Sequence, residues 1–93
     1  MKKTEPSVTL YWNIVSPYAR AVKALTDIGK LPCKLVSVDL LSGEQHKKPF
    51  SDLNPKKQVP VLVIEEEGNQ KKVITESVAI MVYLCEKFPE RFG

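Results

Sequence analysis

The alternation of apolar and polar positions along the chain changes period several times. Val8–Trp12 (VTLYW) is short, apolar and rich in β-branched and aromatic residues, which predicts a buried strand. Pro17–Ile28 instead places apolar residues at Tyr18, Ala21, Val22, Leu25 and Ile28, the three-and-four spacing of one helix face. Gly29 and then Pro32 stand where a helix stops. Lys34–Asp39 (KLVSVD) reads as a second strand. Leu40–Gln58 is polar and holds Gly43, Pro49 and Pro55, so it reads as a loop with one short helical turn near Phe50–Leu53. Connections of that length inside a compact domain are often functional. Val61–Ile64 (VLVI) and Lys72–Thr75 (KVIT) predict two further strands, joined as a hairpin by a turn around Gly68-Asn69. From Glu76 onward Val78, Met81, Val82, Cys85 and Phe88 recur at helical spacing, with Ile80 and Leu84 beside them. A helix buried on much of its circumference is expected there, ended by Pro89.

A strand-helix-strand start implies a parallel pair with a right-handed crossover. A hairpin and a last helix then complete a four-stranded mixed sheet with helices against it. This βαβ then ββα order is the α/β thioredoxin-like outline, which by itself carries no function. The 93 residues suit a single domain over 1–93, with 1–6 expected as a flexible tail. A net charge of +3, from 14 basic and 11 acidic residues spread along the chain, lacks the concentrated basic face that nucleic acid requires. The paired lysines (Lys2-Lys3, Lys47-Lys48, Lys56-Lys57, Lys71-Lys72) read as solvated loop residues. No apolar run reaches the roughly 20 residues of a membrane span, and MKKTEPSVTLYW lacks a signal-peptide core. The two cysteines, Cys33 and Cys85, form no CxxC pair and read as small buried hydrophobes in a reducing, cytoplasmic setting.

Candidate chemistry begins at IVSPYAR. Ser followed by Pro is a common helix start, so Ser16 reads either as a cap or as a hydroxyl at the mouth of a binding site. Thr75-Glu76-Ser77 likewise precedes an apolar helix and reads as a cap on local grounds. Arg20 reads as structural, paired with a nearby acid.

Four segments, taken in order, resemble the N-terminal domain of soluble glutathione transferases. VTLYWNIVSPYARAV resembles the first strand and active-site turn of the serine-type classes. VDLLSGEQHKKPF resembles their variable loop, NPKKQVPVL the NPxxxVPxL segment, and TESVAIMVYL the glutamate-serine corner with its helix. Together they cover nearly the whole chain, from about Val8 to Phe88, and look most theta-like.

This resemblance implies glutathione as co-substrate, with no metal. It implies a cis bond before Pro60 that offers the Val59 N–H and C=O to the ligand's cysteine unit, strand addition on a small scale. Glu76 and Ser77 would hold the γ-glutamyl end, through the carboxylate, the hydroxyl and the amides that open the helix. His46, Lys47, Lys57 and Gln58 are candidates for the glycyl carboxylate. GEQHKKPF departs from the family's GEHxKP-type loop by an extra Gln45 ahead of His46, so that Gln45 falls on the usual histidine position. Ser16 would donate to the glutathione sulfur and stabilise its thiolate. Tyr11 and Tyr18 are the rival hydroxyls, and the lack of a cysteine there argues against exchange through a mixed disulfide.

Family members continue into an all-helical domain that this chain lacks. Two readings follow. One is a glutathione-binding domain that activates the thiol for conjugation to an electrophilic small molecule once that second domain is present. The other is a non-catalytic module of the same fold, a homodimerisation element or a subunit for a partner protein, suggested by the apolar last helix. Neither involves nucleic acid or a membrane.

Overall fold

A computed structural model describes residues 6–48, 50–56, 58–66 and 70–92. Residues 1–5 of the expected tail and the Gly68-Asn69 turn lie outside the described residues. Strand β1 (Ser7–Trp12), helix α1 (Pro17–Ile28) and strand β2 (Lys34–Ser37) come first. Helix α2 (Phe50–Leu53) follows, then β3 (Val61–Glu66), β4 (Gln70–Thr75), α3 (Ser77–Lys87) and α4 (Pro89–Phe92). The sheet runs β2-β1-β3-β4. β1 pairs parallel with β2, while β3 is antiparallel to both β1 and β4. This is the four-stranded mixed sheet of the thioredoxin-like outline. None of the described helices is long and apolar enough to cross a membrane.

β3 shows why VLVI is a continuous apolar run. Leu62 and Ile64 enter a core with Val8, Leu10, Val22, Ile80 and Leu84. Val61 and Val63 point to the opposite face, into a smaller core with Val38 and Phe50. Both sheet faces are covered, so alternation in and out of one core disappears. Each such fully buried branched side chain contributes roughly 1.5–3 kcal/mol.

β2 stops two residues earlier than its pattern predicts, because Asp39 leaves the ladder and donates its N–H to the Glu44 carboxylate at 2.7 Å. Beyond it Leu40–Gln58 contains the expected turn at Phe50–Leu53, together with a 3-10 turn at Glu44–His46 that the pattern did not signal.

Both long helices bury less than their patterns predict. On α1 the buried residues are Ala19, Val22 and Thr26, whereas Tyr18, Ala21 and Ile28 are exposed. The helix carries two apolar stripes, and the sheet together with α3 selects the one through Ala19. α3 buries only Ile80 and Leu84; Val78, Val82 and Cys85 lie exposed on its far side. Cys85 is therefore not a core residue. Cys33 fits its expected role better: it is half-buried, packs against the larger core, and burial pushes its thiol up to about 11. Arg20 is exposed and makes no ion pair among the described residues.

Gly29 follows α1 as expected, but at φ −81 it has no need of a left-handed conformation. Its lack of a side chain answers to α4. A Cβ there would press on the edge of the Phe92 ring, which would have to shift. Beside that contact Arg91 donates to the carbonyls of Gly29 and Lys30, at 3.2 and 2.8 Å. Pro89 thus ends α3 and begins a clasp on the far end of α1.

Candidate functional site

A cleft of about 340 Å³ opens between the turn leading into β3 and the turn leading out of β4. The first turn contributes Asn54, Lys56, Gln58, Val59 and Pro60; the second contributes Thr75, Glu76, Ser77 and Val78. Tyr18, in the first turn of α1, completes the lining. Its volume falls in the range of small-molecule sites.

The first turn is held from inside by one residue. Asn54 is 4% exposed, and its side-chain amide donates to the Gln58 carbonyl at 2.8 Å while its oxygen accepts the Lys56 N–H at 3.1 Å. Asn-Pro is a turn-initiating pair, and here the asparagine ties together both ends of the turn it starts. The Val59–Pro60 bond that follows is cis. Val59 packs against the smaller core beside Phe50 and Val61, so its backbone position is anchored on the buried side.

The second turn is built around Glu76. Its backbone sits at φ 76, ψ 119, a region that a residue with a side chain adopts at a cost of roughly 1–3 kcal/mol. Although Glu76 occupies the N-cap position of α3, its carboxylate makes no capping hydrogen bond. Ser77 is the first helical residue. The local capping expectation for this segment is therefore replaced by a helix start whose positive end carries no side-chain cap from Glu76. The Glu76 carboxylate turns instead across the cleft to Lys56, with Nζ to Oε2 at 3.3 Å. Lys56 was expected to be a solvated loop residue. Twenty positions separate the two, and only the β3–β4 pairing brings them face to face.

Ser16 is half-buried and is the N-cap of α1: its Oγ accepts the Ala19 N–H at 3.2 Å. A hydroxyl carries one donor and two acceptor lone pairs, so this cap uses an acceptor and leaves the O–H free to donate. Cap and donor are thus compatible roles for one residue. Asn13 fixes the turn ahead of it, accepting the Val15 N–H at 2.8 Å and donating to the Val38 carbonyl at 2.7 Å. Ser16 itself is not among the cleft-lining residues, but Tyr18, two positions on, is.

Of the expected site residues the cleft gathers Gln58, Val59, Pro60, Glu76 and Ser77. His46 and Lys47 sit exposed at the end of the 3-10 turn and do not line it. Lys57 lies outside the described residues. Asn54 and Lys56 line the cleft without having been singled out; the Asn-Pro pair was the one signal for the former, and nothing local marked the latter.

Residues 10–92 match the family model described as the glutathione S-transferase N-terminal domain. The chain is 34% identical over 86 residues to maleylacetoacetate isomerase maiA of Aspergillus fumigatus, covering 92% of this chain and 37% of that protein. It is 39% identical over 79 residues to glutathione S-transferase theta-2 of Rattus norvegicus, covering 85% of this chain and 30% of that protein. Among solved structures, a glutathione transferase homologue of Drosophila mojavensis with bound glutathione superposes with a TM-score of 0.77 at 36% identity, over 90% of this chain and 36% of that one. The chain belongs to the glutathione S-transferase N-terminal domain family, and it spans about a third of the length of the curated relatives it matches.

Proposed function

We propose that this domain binds glutathione in the cleft and activates its thiol for conjugation to an electrophilic small molecule, as the N-terminal part of a two-domain transferase. The observation that carries the proposal is the meeting of two backbone features in one cleft: the cis Val59–Pro60 turn and the open start of α3 at Glu76–Ser77. An extended peptide backbone suits the N–H and C=O of Val59. The γ-glutamyl end, which carries an amine and a carboxylate, suits the Glu76 carboxylate and the positive end of α3. A homologue's structure holds bound glutathione on the same fold, which supports this assignment.

At the sulfur, the nucleophile is the thiolate, and a free thiol near pKa 8.5 is mostly protonated at neutral pH. The Ser16 O–H, unused by its cap, together with the N-terminal end of α1, favours the anion. A two-unit fall in the thiol pKa corresponds to about 2.7 kcal/mol. Ser16 then acts as a donor to the thiolate, neither base nor nucleophile. Gln58, which lines the cleft, is a neutral hydrogen-bonding candidate for the remaining, glycyl end, with Lys57 next to it in sequence; Lys47 and His46, exposed outside the lining, are the more distant candidates. Both cysteines are free thiols, which supports a reducing, cytoplasmic setting.

Isothermal titration of the chain with reduced glutathione tests the binding step. Saturable heat in the micromolar-to-millimolar range is expected; none at millimolar ligand overturns it. Turnover with an electrophile is proposed for the protein that includes the helical domain. A second reading, a non-catalytic interaction module that forms a homodimer or binds a partner protein, is favoured by the apolar stripe of α3 at Val78 and Val82. Stable association together with no glutathione binding would establish it.

A further inference from the structure

The cleft already contains a pair of opposite charges. Lys56 Nζ stands 3.3 Å from Glu76 Oε2, and the two side chains rise from opposite walls. Each is about two-thirds exposed, at 67% and 64%, so the pair can be exchanged without unpacking anything. At the same time the base of Lys56 is fixed, because its N–H is held by the buried Asn54 side chain at 3.1 Å. The backbone from which the ammonium reaches over the cleft is therefore held in place.

We propose that Lys56 occupies Glu76 as a stand-in for a ligand ammonium group, and that it makes the cleft select ligands bearing an amine and a carboxylate on one carbon. This rests on the glutathione reading given above. A ligand amine that docks on Glu76 must displace the Lys56 ammonium. If the ligand also brings a carboxylate, Lys56 exchanges one anion for another and no charge is left unpaired. If it brings an amine alone, the Lys56–Glu76 attraction is lost without replacement. Selectivity for the zwitterionic end thus comes partly from a penalty against the wrong ligand and not only from contacts with the right one. Exposed ion pairs are weak, so each effect is expected to be about two- to fivefold in affinity.

The test is calorimetric, on the chain and on Lys56→Met, with two ligands: glutathione, and its analogue in which 4-aminobutyrate replaces the γ-glutamyl residue, keeping the amine and losing the α-carboxylate. In the parent chain glutathione is expected to bind more tightly. Lys56→Met is expected to leave glutathione within about twofold, because one anion had only replaced another, and to strengthen the analogue about threefold, so that the ratio of the two dissociation constants shrinks about threefold. Lys56→Arg, which keeps the charge, is expected to restore most of the ratio. A merely structural effect of Lys56 moves both ligands in the same direction, so an unchanged ratio overturns the inference while leaving glutathione binding intact. Absence of glutathione binding by the parent chain overturns both.

Discussion

Two helices of this domain begin beside the same cleft, and they begin in opposite ways. α1 starts from Ser16 in extended backbone, φ −86 and ψ 115, with the hydroxyl closing the first turn on the Ala19 N–H and Pro17 in the position that needs no donor. α3 starts from Glu76 at φ 76, with a side chain that turns away to Lys56 and makes no cap. One start is satisfied by the chain itself; the other is held open at a backbone cost. The comparison separates folding from binding at a level finer than the fold. In the proposed reading, the start that supplies its own cap offers a ligand a spare hydroxyl donor, and the start that withholds one offers it the helix end.

The largest effect is expected opposite the open start, at Asn54. Asn54→Ala removes two hydrogen bonds that hold the turn carrying Gln58 and Val59, at about 1 kcal/mol each. A loss of about 2 kcal/mol corresponds to a fall in Tm on the order of 10 °C for a domain of this size. Thermal melts followed by circular dichroism measure it. Glutathione affinity should fall with it, since the Val59 edge loses its support. A Tm within 2 °C of the parent for Asn54→Ala would show that the open side of the cleft does not depend on this residue.

At the closed start, Ser16→Ala is expected to cost about 1 kcal/mol through the lost cap. If the free O–H also faces the ligand sulfur, the same substitution raises the pKa of bound glutathione, read from thiolate absorbance against pH. A stability loss with an unchanged thiol pKa would leave Ser16 a cap only, and would sharpen the contrast between the two starts.

Much of this was legible in the residues, for identifiable reasons. The limits of α1 follow from Ser16-Pro17 at one end and Gly29 at the other, because start and stop signals are local. VLVI announced a strand, and the packing shows it buried on both faces. What could not be read locally depends on partners distant in the chain. α1 has two apolar stripes, and only the packing of α3 and the sheet decides that Ala19–Val22–Thr26 is the inner one. Gly29 looked like a helix terminator, yet the neighbour that a side chain there would meet is Phe92, near the far end of the sequence. Lys56 looked like half of a solvated lysine pair, and its partner is 20 residues away. In the cleft, family resemblance pointed to Val59, Glu76 and Ser77, while the polar scaffolding by Asn54 emerged only from three-dimensional contacts.

The smallest expected change in stability bears most directly on the comparison. Glu76 holds a positive φ that a glycine adopts without steric penalty. Glu76→Gly relieves a conformation costing roughly 1–3 kcal/mol, and against that stand the extra backbone entropy of glycine, about 0.5–1 kcal/mol, and the exposed Lys56 pair, below about 1 kcal/mol. These nearly cancel, so Tm is expected to stay level or to rise by a few degrees. Glutathione affinity, in contrast, should fall about tenfold or more, because the carboxylate for the ligand amine is gone. Ser16→Ala and Glu76→Gly then move stability in different directions although both alter the residue before a helix. A clear loss of stability in Glu76→Gly, more than about 1 kcal/mol, would mean that Glu76 supports the fold as Ser16 does. The strained backbone would then have to be explained by something other than the ligand.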